Sequence, residues 1–275
     1  MTYIELLKRI DTLAPLPKTL MDIEEFKKTN NFESTDLAKI IEQDPIMVST
    51  ILKTANSAMF GFASKVDTLS RAISLMGVNF AVSIALGSGI KQALNSDLNA
   101  YGVNSDTFLR IANMQSNFIS LWIGKVNIDL KNDLILPSFL QESGKFLINS
   151  ALADEGKVNE FMQQVVSNPE KINSIEKSFV GMSTAEVTSA IFKHWNLTHT
   201  IINSIKFSDD PIKALLQVKQ HAQILNISKL VCNIINPLSE NSITLGKQKA
   251  IEFGFDIKPF EIAVEKMQER LLDEN

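Results

Sequence analysis

Apolar residues recur every three or four positions along almost the whole chain, and the strict alternation that marks a half-buried strand is hardly found. Such spacing places apolar side chains on one face of an α-helix, and that face needs a neighbouring helix to cover it. The pattern begins with Ile4, Leu7 and Ile10 and is still present between Pro259 and Leu272. It predicts an all-α fold, a multi-helix bundle.

Capping residues and glycines set the expected helix ends in the first part of the chain. Asp44-Pro45 is typical of a helix start, because the carboxylate can accept free N–H groups of the first turn, where proline's missing donor costs nothing. We expect this helix to continue to about Met59 and to end at Gly61, which can adopt left-handed backbone angles. Gly77 is expected to separate two further helices, the second apolar enough to be buried.

A polar, turn-forming stretch divides the helical pattern into two parts. Residues 95–104 are rich in Asn, Asp, Ser and Gly, and we expect a hinge there. The chain is therefore interpreted as a single unit, 1–275, in which an N-terminal helical subdomain, 1–96, packs on a second helical subdomain, 104–275.

Two long helices are expected in the second part. An apolar stripe from Ile135 to Ala153 predicts one of them. Asp210-Pro211 predicts the start of another, which should run through Cys232, because an Asp-Pro pair suits the first turn of a helix.

Composition narrows the class of protein. The 275 residues are 45% hydrophobic and 21% charged, which is enough to bury a large core in one domain or two closely packed ones. The single cysteine, Cys232, excludes an intramolecular disulfide and reads as a core residue. No apolar run approaches the roughly 18 residues of a spanning helix, so we expect a cytoplasmic protein without membrane contact. A formal net charge of −4 with interspersed signs disfavours nucleic acid as a partner.

The three histidines do not form an obvious metal site. His194 and His199 are five residues apart, which places them about 140° apart around a helix. His221 lies on a separate predicted helix. We therefore expect structural, hydrogen-bonded roles for all three, and the sequence predicts no metal and no cofactor.

Two other polar patterns have structural explanations. Gly87-Ser88-Gly89 with Lys91 is a weak match to a phosphate-binding loop, because it lies inside a helical stretch and follows no strand. Close packing of helices through small residues explains it better. The adjacent acids of Asp154-Glu155 and Asp209-Asp210 are expected to cap helix ends or to face solvent.

Four segments in the first hundred residues match one family pattern in order and spacing. They are Leu13-Ala14-Pro15-Leu16-Pro17, Asp36-Leu37-Ala38-Lys39-Ile40-Ile41-Glu42-Gln43-Asp44-Pro45, Ile51-Leu52-Lys53-Thr54-Ala55-Asn56-Ser57-Ala58 and Ala72-Ile73-Ser74-Leu75-Met76-Gly77. The chain thereby resembles the HDOD family, the HD-related output domains of bacterial signalling proteins. The residues at the family-motif positions are Pro17, Asp44, Pro45, Asn56, Ser57 and Gly77.

The resemblance also implies a degenerate active site. Phe139 to Lys145 stands where HD-type metal phosphohydrolases have Leu-Leu-His-Asp-Ile-Gly-Lys, so Gln141 and Glu142 replace the His-Asp pair. Gln115 and Thr184 stand near two other expected histidines. The last metal ligand, an Asp in the family pattern, maps near Gln223 or Asn226. With these substitutions the resemblance implies a site without catalytic residues and without metal.

The resemblance leaves three interpretations of function. The first is a non-catalytic regulatory module that binds a protein partner in a signalling pathway or a small effector; since the family-like region fills nearly all 275 residues, its input or output is expected from a separate protein. The second is a metal-dependent phosphohydrolase with an unusual ligand set such as Glu142 with His221. The third is an RNA- or DNA-binding regulator. Asn56 and Ser57 form either a structural helix corner or part of a partner-binding surface.

Overall fold

The structure, a computed structural model, describes residues 3–26, 33–94 and 97–272. Within these ranges the chain forms α-helices joined by turns and short 3-10 segments, and no strand, so the all-α prediction is confirmed. The helices are α1 Tyr3–Asp11, α2 Lys18–Phe26, α3 Ser34–Ile41, α4 Pro45–Ala55, α5 Leu69–Met76, α6 Val78–Leu94, α7 Ser105–Trp122, α8 Ile128–Leu140, α9 Gly144–Asp154, α10 Val158–Ser167, α11 Ile172–Val180, α12 Thr184–His194, α13 His199–Lys206, α14 Leu216–Val231, α15 Glu240–Glu252 and α16 Ile257–Leu272.

Helix α6 joins the two parts of the bundle. It packs against α2, α3, α4 and α5 on the N-terminal side and against α7, α8 and α9 beyond them. Small residues allow this close approach: a Cβ on Gly87 would lie 2.5 Å from a ring carbon of Phe139, and one on Gly89 would lie 2.6 Å from a methyl carbon of Leu20. The predicted helix packing through these glycines is confirmed.

The N-terminal helices begin and end mostly where capping chemistry predicts. The Asp44 carboxylate accepts from the N–H groups of Ile46 and Met47 at 2.9 and 3.1 Å, with Pro45 in the first turn. Gly77 separates α5 from α6 with a φ of +89°. The expected end of α4 near Met59 is wrong, since the helix ends at Ala55.

The Asn56 side chain explains the earlier end of α4. Its Nδ2 donates to the carbonyls of Leu52 and Val66, both at 2.7 Å, and its Oδ1 accepts from Val66 N at 2.8 Å. This amide therefore closes the loop between Asn56 and Val66 much as a backbone pair would. Ser57 supports the same corner by donating to Thr54 O at 2.7 Å.

The predicted long helix from Ile135 to Ala153 is broken at residues 141–143, between α8 and α9. Thr188 satisfies the backbone groups that this break frees: its hydroxyl accepts from Gly144 N at 2.8 Å and donates to Gln141 O at 3.1 Å. Gly144 allows the approach, because a Cβ there would lie 2.7 Å from the Thr184 carbonyl oxygen. Tertiary packing thus overrides the local apolar periodicity.

The helix expected to start at Asp210-Pro211 is also shorter than predicted. Residues Pro211–Lys213 form one 3-10 turn, Ala214 and Leu215 are extended, and α14 begins at Leu216. Proline therefore starts a turn here, and the long helix follows it.

The segment expected to be a hinge is anchored in the core. Residues 95 and 96 lie outside the described residues, but Tyr101 is fully buried and its ring packs edge-on against Phe161. Ala100 N donates to Asn149 Oδ1 at 2.8 Å. These contacts fix residues 100 and 101 to α9 and α10, and the hinge at residues 95–104 stays a prediction.

The family-like segment Leu13–Pro17 is held against the second half of the bundle by the end of α12. Trp195 Nε1 donates to Ala14 O at 2.9 Å, and His194 Nε2 lies 3.1 Å from Leu13 O. The structural role expected for His194 is confirmed. The Pro17 carbonyl accepts from Leu20 N at 2.9 Å and from Met21 N at 3.2 Å in the first turn of α2.

No single helix in the described ranges has both the length and the apolar composition needed to cross a membrane. The α5–α6 pair reaches these limits only when the two helices are joined, and they are bent by 118° at Gly77.

We expect Asn56→Ala to lower the free energy of unfolding by about 2 kcal/mol, because it leaves both backbone groups of buried Val66 without partners. Asn168→Ala is the matched control, since Asn168 also donates to the carbonyl four residues earlier but its side chain binds no second segment in the part of the chain that the structure describes. Its cost should be below about 1 kcal/mol. Urea unfolding checks both values, and equal costs would contradict the loop-closing role of Asn56.

Candidate functional site

The break between α8 and α9 directs polar side chains into the middle of the second half of the bundle. Gln141 and Glu142 lie at the break, Gln115 comes from the middle of α7, and Ser228 and Lys229 come from the end of α14. All five are buried. We call these five residues, together with Lys145, Glu176 and Asp209, the polar cluster.

Two glutamines form the amide part of the polar cluster. Gln141 Nε2 donates to Gln115 Oε1 at 2.8 Å and to Ser228 Oγ at 3.1 Å. Gln115 Nε2 in turn donates to Glu142 Oε1 at 3.3 Å and to the carbonyl of Cys232 at 3.2 Å. The Nε2 groups of both amides therefore donate to neighbouring protein groups.

Lys145 connects the amides to a second part of the polar cluster. Its Nζ lies 3.1 Å from Glu142 Oε2 and 3.0 Å from Glu176 Oε1, and it donates to Thr184 Oγ1 at 3.0 Å. Lys145 and both carboxylates are at most 5% exposed at their side chains. A buried ammonium is tolerated because it has acceptors on several sides.

Glu176 also accepts hydrogen bonds from the other donors around Lys145. It accepts from Thr184 N and Thr184 Oγ1, both at 2.6 Å, and from the Tyr101 hydroxyl at 3.0 Å. Burial and the neighbouring Glu176 carboxylate hold the pKa of Tyr101 well above its usual value. The phenol therefore stays protonated and acts as a donor.

A second buried ion pair lies beside the first. Lys229 Nζ is 2.5 Å from Asp209 Oδ1, and both side chains are about one-tenth exposed. The polar cluster therefore buries two ammonium groups, those of Lys145 and Lys229, among the three carboxylates of Glu142, Glu176 and Asp209.

These neighbours keep the groups of the polar cluster charged. Burial alone would raise the pKa of Glu142, but Lys145 and Lys229 outweigh it and the pKa lies below its ordinary value. Burial likewise opposes the charge of Lys229, yet Asp209 and Glu142 raise its pKa. The same balance raises the pKa of Lys145 and lowers that of Asp209.

The structure brings together most of the predicted degenerate-site residues. Gln115, Gln141 and Glu142 contact one another, and Thr184 reaches them through Lys145. Gln223 makes no hydrogen bond or ion pair to the cluster within the described residues, and Ser228 and Lys229 extend from α14 in its place. The other candidate for that position, Asn226, donates to Ser208 O at 2.7 Å. The family-motif residues Pro17, Asp44, Pro45, Asn56, Ser57 and Gly77 lie in the N-terminal layer, outside the polar cluster.

The sequence patterns did not identify Glu176, Lys229 or Asp209 as members of the polar cluster. Asp209 was expected to cap a helix or face solvent, which is wrong, because its carboxylate turns inward to Lys229. Glu176 and Lys229 each interrupt an apolar helix face, and that interruption was the available signal. Their pairing depends on chain segments far apart in sequence, so spacing alone could not reveal it.

A divalent metal ion, which the HD-type pattern would place here, does not fit these residues. Neutral amides stand at Gln115 and Gln141, and the one family-position carboxylate, Glu142, is already bound by the Lys145 ammonium. Across residues 3–26, 33–94 and 97–272, no three His, Cys, Asp or Glu side chains are grouped so that they could hold a metal. His221 lies apart, 3.8 Å from Asp133.

The void beside the polar cluster is small. It measures about 40 Å³ and is lined by Glu142, Lys145, Asp209, Asn226 and Lys229, among others. Asp209 Oδ2 and Asn226 Oδ1 are buried there without a hydrogen-bond partner in the described part of the chain. Such a space suits a water molecule, and it is far too small for a substrate.

We expect Lys229→Met to lower the free energy of unfolding by about 3 kcal/mol or more, because it leaves Asp209 as an unpaired buried charge. Lys213→Met is the matched control, since Lys213 pairs at 2.8 Å with Asp210, the residue after Asp209, on the surface. This substitution should leave the free energy of unfolding unchanged within error. Chemical denaturation of both variants checks this, and an equally harmless Lys229→Met would contradict the buried ion pair.

Sequence comparison finds a distant relative in Treponema pallidum, an uncharacterized protein. It is 26% identical over 204 residues, which are 72% of this chain and 38% of that protein. The matched region thus spans well under half the length of this relative.

Solved structures share the fold. An HDOD domain protein of unknown function from Geobacter sulfurreducens superposes with a TM-score of 0.69 at 16% identity, covering 99% of this chain and 94% of that one. A candidate signal transduction protein from Marinobacter aquaeolei VT8 superposes with a TM-score of 0.68 at 16% identity, covering 98% of this chain and 62% of that one. At these identities the likeness shows the fold.

The family assignment rests on the sequence. A sequence model of the HDOD domain matches residues 13–211, a span that runs from the Leu13–Pro17 segment through the α8–α9 break to Pro211. It includes all six family-motif positions and the positions of Gln115, Gln141, Glu142 and Thr184. The chain therefore belongs to the HDOD domain family.

Proposed function

We propose that this protein is a bacterial signal-transduction module that regulates by binding a protein partner or a small effector and performs no metal-dependent hydrolysis. HDOD family membership and the fold it shares with a candidate signal transduction protein support the signalling role. The module is proposed to act in the cytoplasm, away from membranes and nucleic acid.

The Lys145 ammonium carries the non-catalytic part of the proposal. Hydrolysis by a metal requires open coordination positions and anionic or imidazole ligands. In the polar cluster an ammonium lies 3.1 Å from Glu142 Oε2, the carboxylate best placed to be a ligand. The positive charge that a metal would supply is thus supplied by the chain, and two amides fill positions where imidazoles would bind.

Metal-dependent phosphohydrolase activity is the alternative. It is favoured by one observation, that Glu142 and Asp209 line the same small void and that Asp209 Oδ2 has no partner in the described residues. A metal held there would have to displace Lys229 from Asp209 and Lys145 from Glu142.

Metal content and phosphoester hydrolysis, measured together, test the proposal. The protein is incubated with Mg²⁺, Mn²⁺, Fe²⁺ or Zn²⁺, freed of unbound ion and analysed by elemental mass spectrometry. The same samples are then supplied with 4-nitrophenyl phosphate, which releases a coloured phenolate on hydrolysis. We expect substoichiometric metal and no hydrolysis above the protein-free rate.

Glu142→Gln is the control variant for this experiment. It removes the carboxylate that any metal at this site would need and nearly keeps the side-chain volume. One bound ion per chain, with hydrolysis that Glu142→Gln abolishes, would contradict the proposal and favour the phosphohydrolase.

A further inference from the structure

A larger cavity, the interlayer cavity, opens between α4, the C-terminal end of α6 and the first turns of α7. Its volume is about 980 Å³, at the upper end of the range for small-molecule sites. Helices α4 and α7 both pack against α6, and all three contribute residues to the lining. No member of the polar cluster lines it.

The charges of the interlayer cavity favour an anion. Among the described residues three cations, Lys53, Lys91 and Arg110, and two acids, Asp97 and Asp106, line it, which leaves an excess of one positive charge in a chain of net charge −4. Lys91 pairs with Asp106 at 2.8 Å and is the main cause of the lowered pKa of Asp106, to which the charge of Lys53 also contributes. In the same described part of the chain Lys53 and Arg110 are exposed and form no hydrogen bond or ion pair. Both cations can therefore contact a ligand at the cavity wall.

A buried amide adds a donor. Asn113 lines the cavity although only 5% of its surface is exposed. Its Oδ1 accepts from Asn117 Nδ2 at 2.9 Å, whereas its Nδ2 has no acceptor in the described part of the chain. This Nδ2 is not one of the fully buried atoms that lack a partner, so it is accessible from the cavity and can donate to a ligand there.

The N-terminus of α7 also favours an anionic ligand. Asn104, Ser105, Asp106 and Thr107 line the cavity, and the first turn of a helix leaves backbone N–H groups without intrahelical acceptors. The Asn104 side chain accepts from Thr107 N at 3.1 Å, which satisfies one of these groups. The helix dipole adds to the preference for negative charge at this end.

Part of the remaining lining is apolar. Ile46 and Leu109 present apolar surface to the cavity, with the buried Met59 and Met114 behind it. The other lining residues are small or polar: Ser49, Thr50, Thr54, Ser57, Ser88 and Gln92. The occupant should thus combine an anionic group with an apolar body.

We propose that the interlayer cavity binds a small organic phosphate, with the phosphate between Lys53, Arg110 and Asn113 and the apolar body against Ile46 and Leu109. A phosphate presents three strong acceptor oxygens, which matches two free cations and an amide better than the two oxygens of a carboxylate do. This inference rests on the proposed function, because it names the effector of the binding module and locates it away from the polar cluster.

Calorimetric titration with 4-nitrophenyl phosphate, in EDTA, tests the assignment. We expect one molecule bound per chain, more tightly than inorganic phosphate or 4-nitrobenzoate. Lys53→Gln and Arg110→Gln should each weaken binding roughly tenfold, since each removes a charged hydrogen-bond donor. Lys258→Gln, which removes an exposed lysine of α16, should leave binding unchanged. Circular dichroism confirms that each variant is folded.

The outcomes separate this inference from the proposed function. No binding of 4-nitrophenyl phosphate, or binding that Lys53→Gln and Arg110→Gln leave intact, overturns the interlayer site and leaves the non-catalytic proposal standing. Equal affinity for 4-nitrobenzoate overturns the preference for phosphate. Phenolate release that needs Mn²⁺ and is lost in Glu142→Gln overturns the non-catalytic proposal, while the binding results in EDTA still decide the site.

Discussion

Two ammonium groups buried among three carboxylates are the constraint around which the second half of this fold is organised. Lys145 and Lys229 have lost their water, and each is stable only while its acidic partners stay within ion-pair distance. Those partners come from the α8–α9 break, from α11 and from the segment after α13. The charges therefore require several distant chain segments to be in place together, and they explain why Tyr101 and Thr184 also direct their hydroxyls toward Glu176.

The sequence predicts local structure where a single residue determines it. It does not predict structure that depends on contacts between segments far apart in the chain. Asp44 and Gly77 cap and separate helices as expected, because their effects are confined to a turn. The break at residues 141–143 was not predicted, since the Thr188 hydroxyl that stabilises it comes from α12. The HDOD resemblance located Gln115, Gln141 and Glu142, but the cations that balance Glu142 became visible only when the helices were packed.

The polar cluster and the interlayer cavity differ in burial, charge and free volume. The polar cluster has the charge and the burial of an active site but only about 40 Å³ of free space. The interlayer cavity has about 980 Å³ of free space and two exposed cations, Lys53 and Arg110, at its wall. Helix α7 carries Asn113 toward the cavity and Gln115 toward the polar cluster, two residues further along. A ligand in the cavity would thus contact α7, the helix that carries Gln115 of the polar cluster.

A double-mutant cycle between Lys145 and Glu176 tests most directly whether internal charge compensation holds this site together. The free energy of unfolding is measured for the wild type, Lys145→Met, Glu176→Gln and the double variant. We expect the second substitution to cost much less once the first is present, with a coupling energy of about 1–3 kcal/mol. Costs that add to within about 0.5 kcal/mol would contradict it.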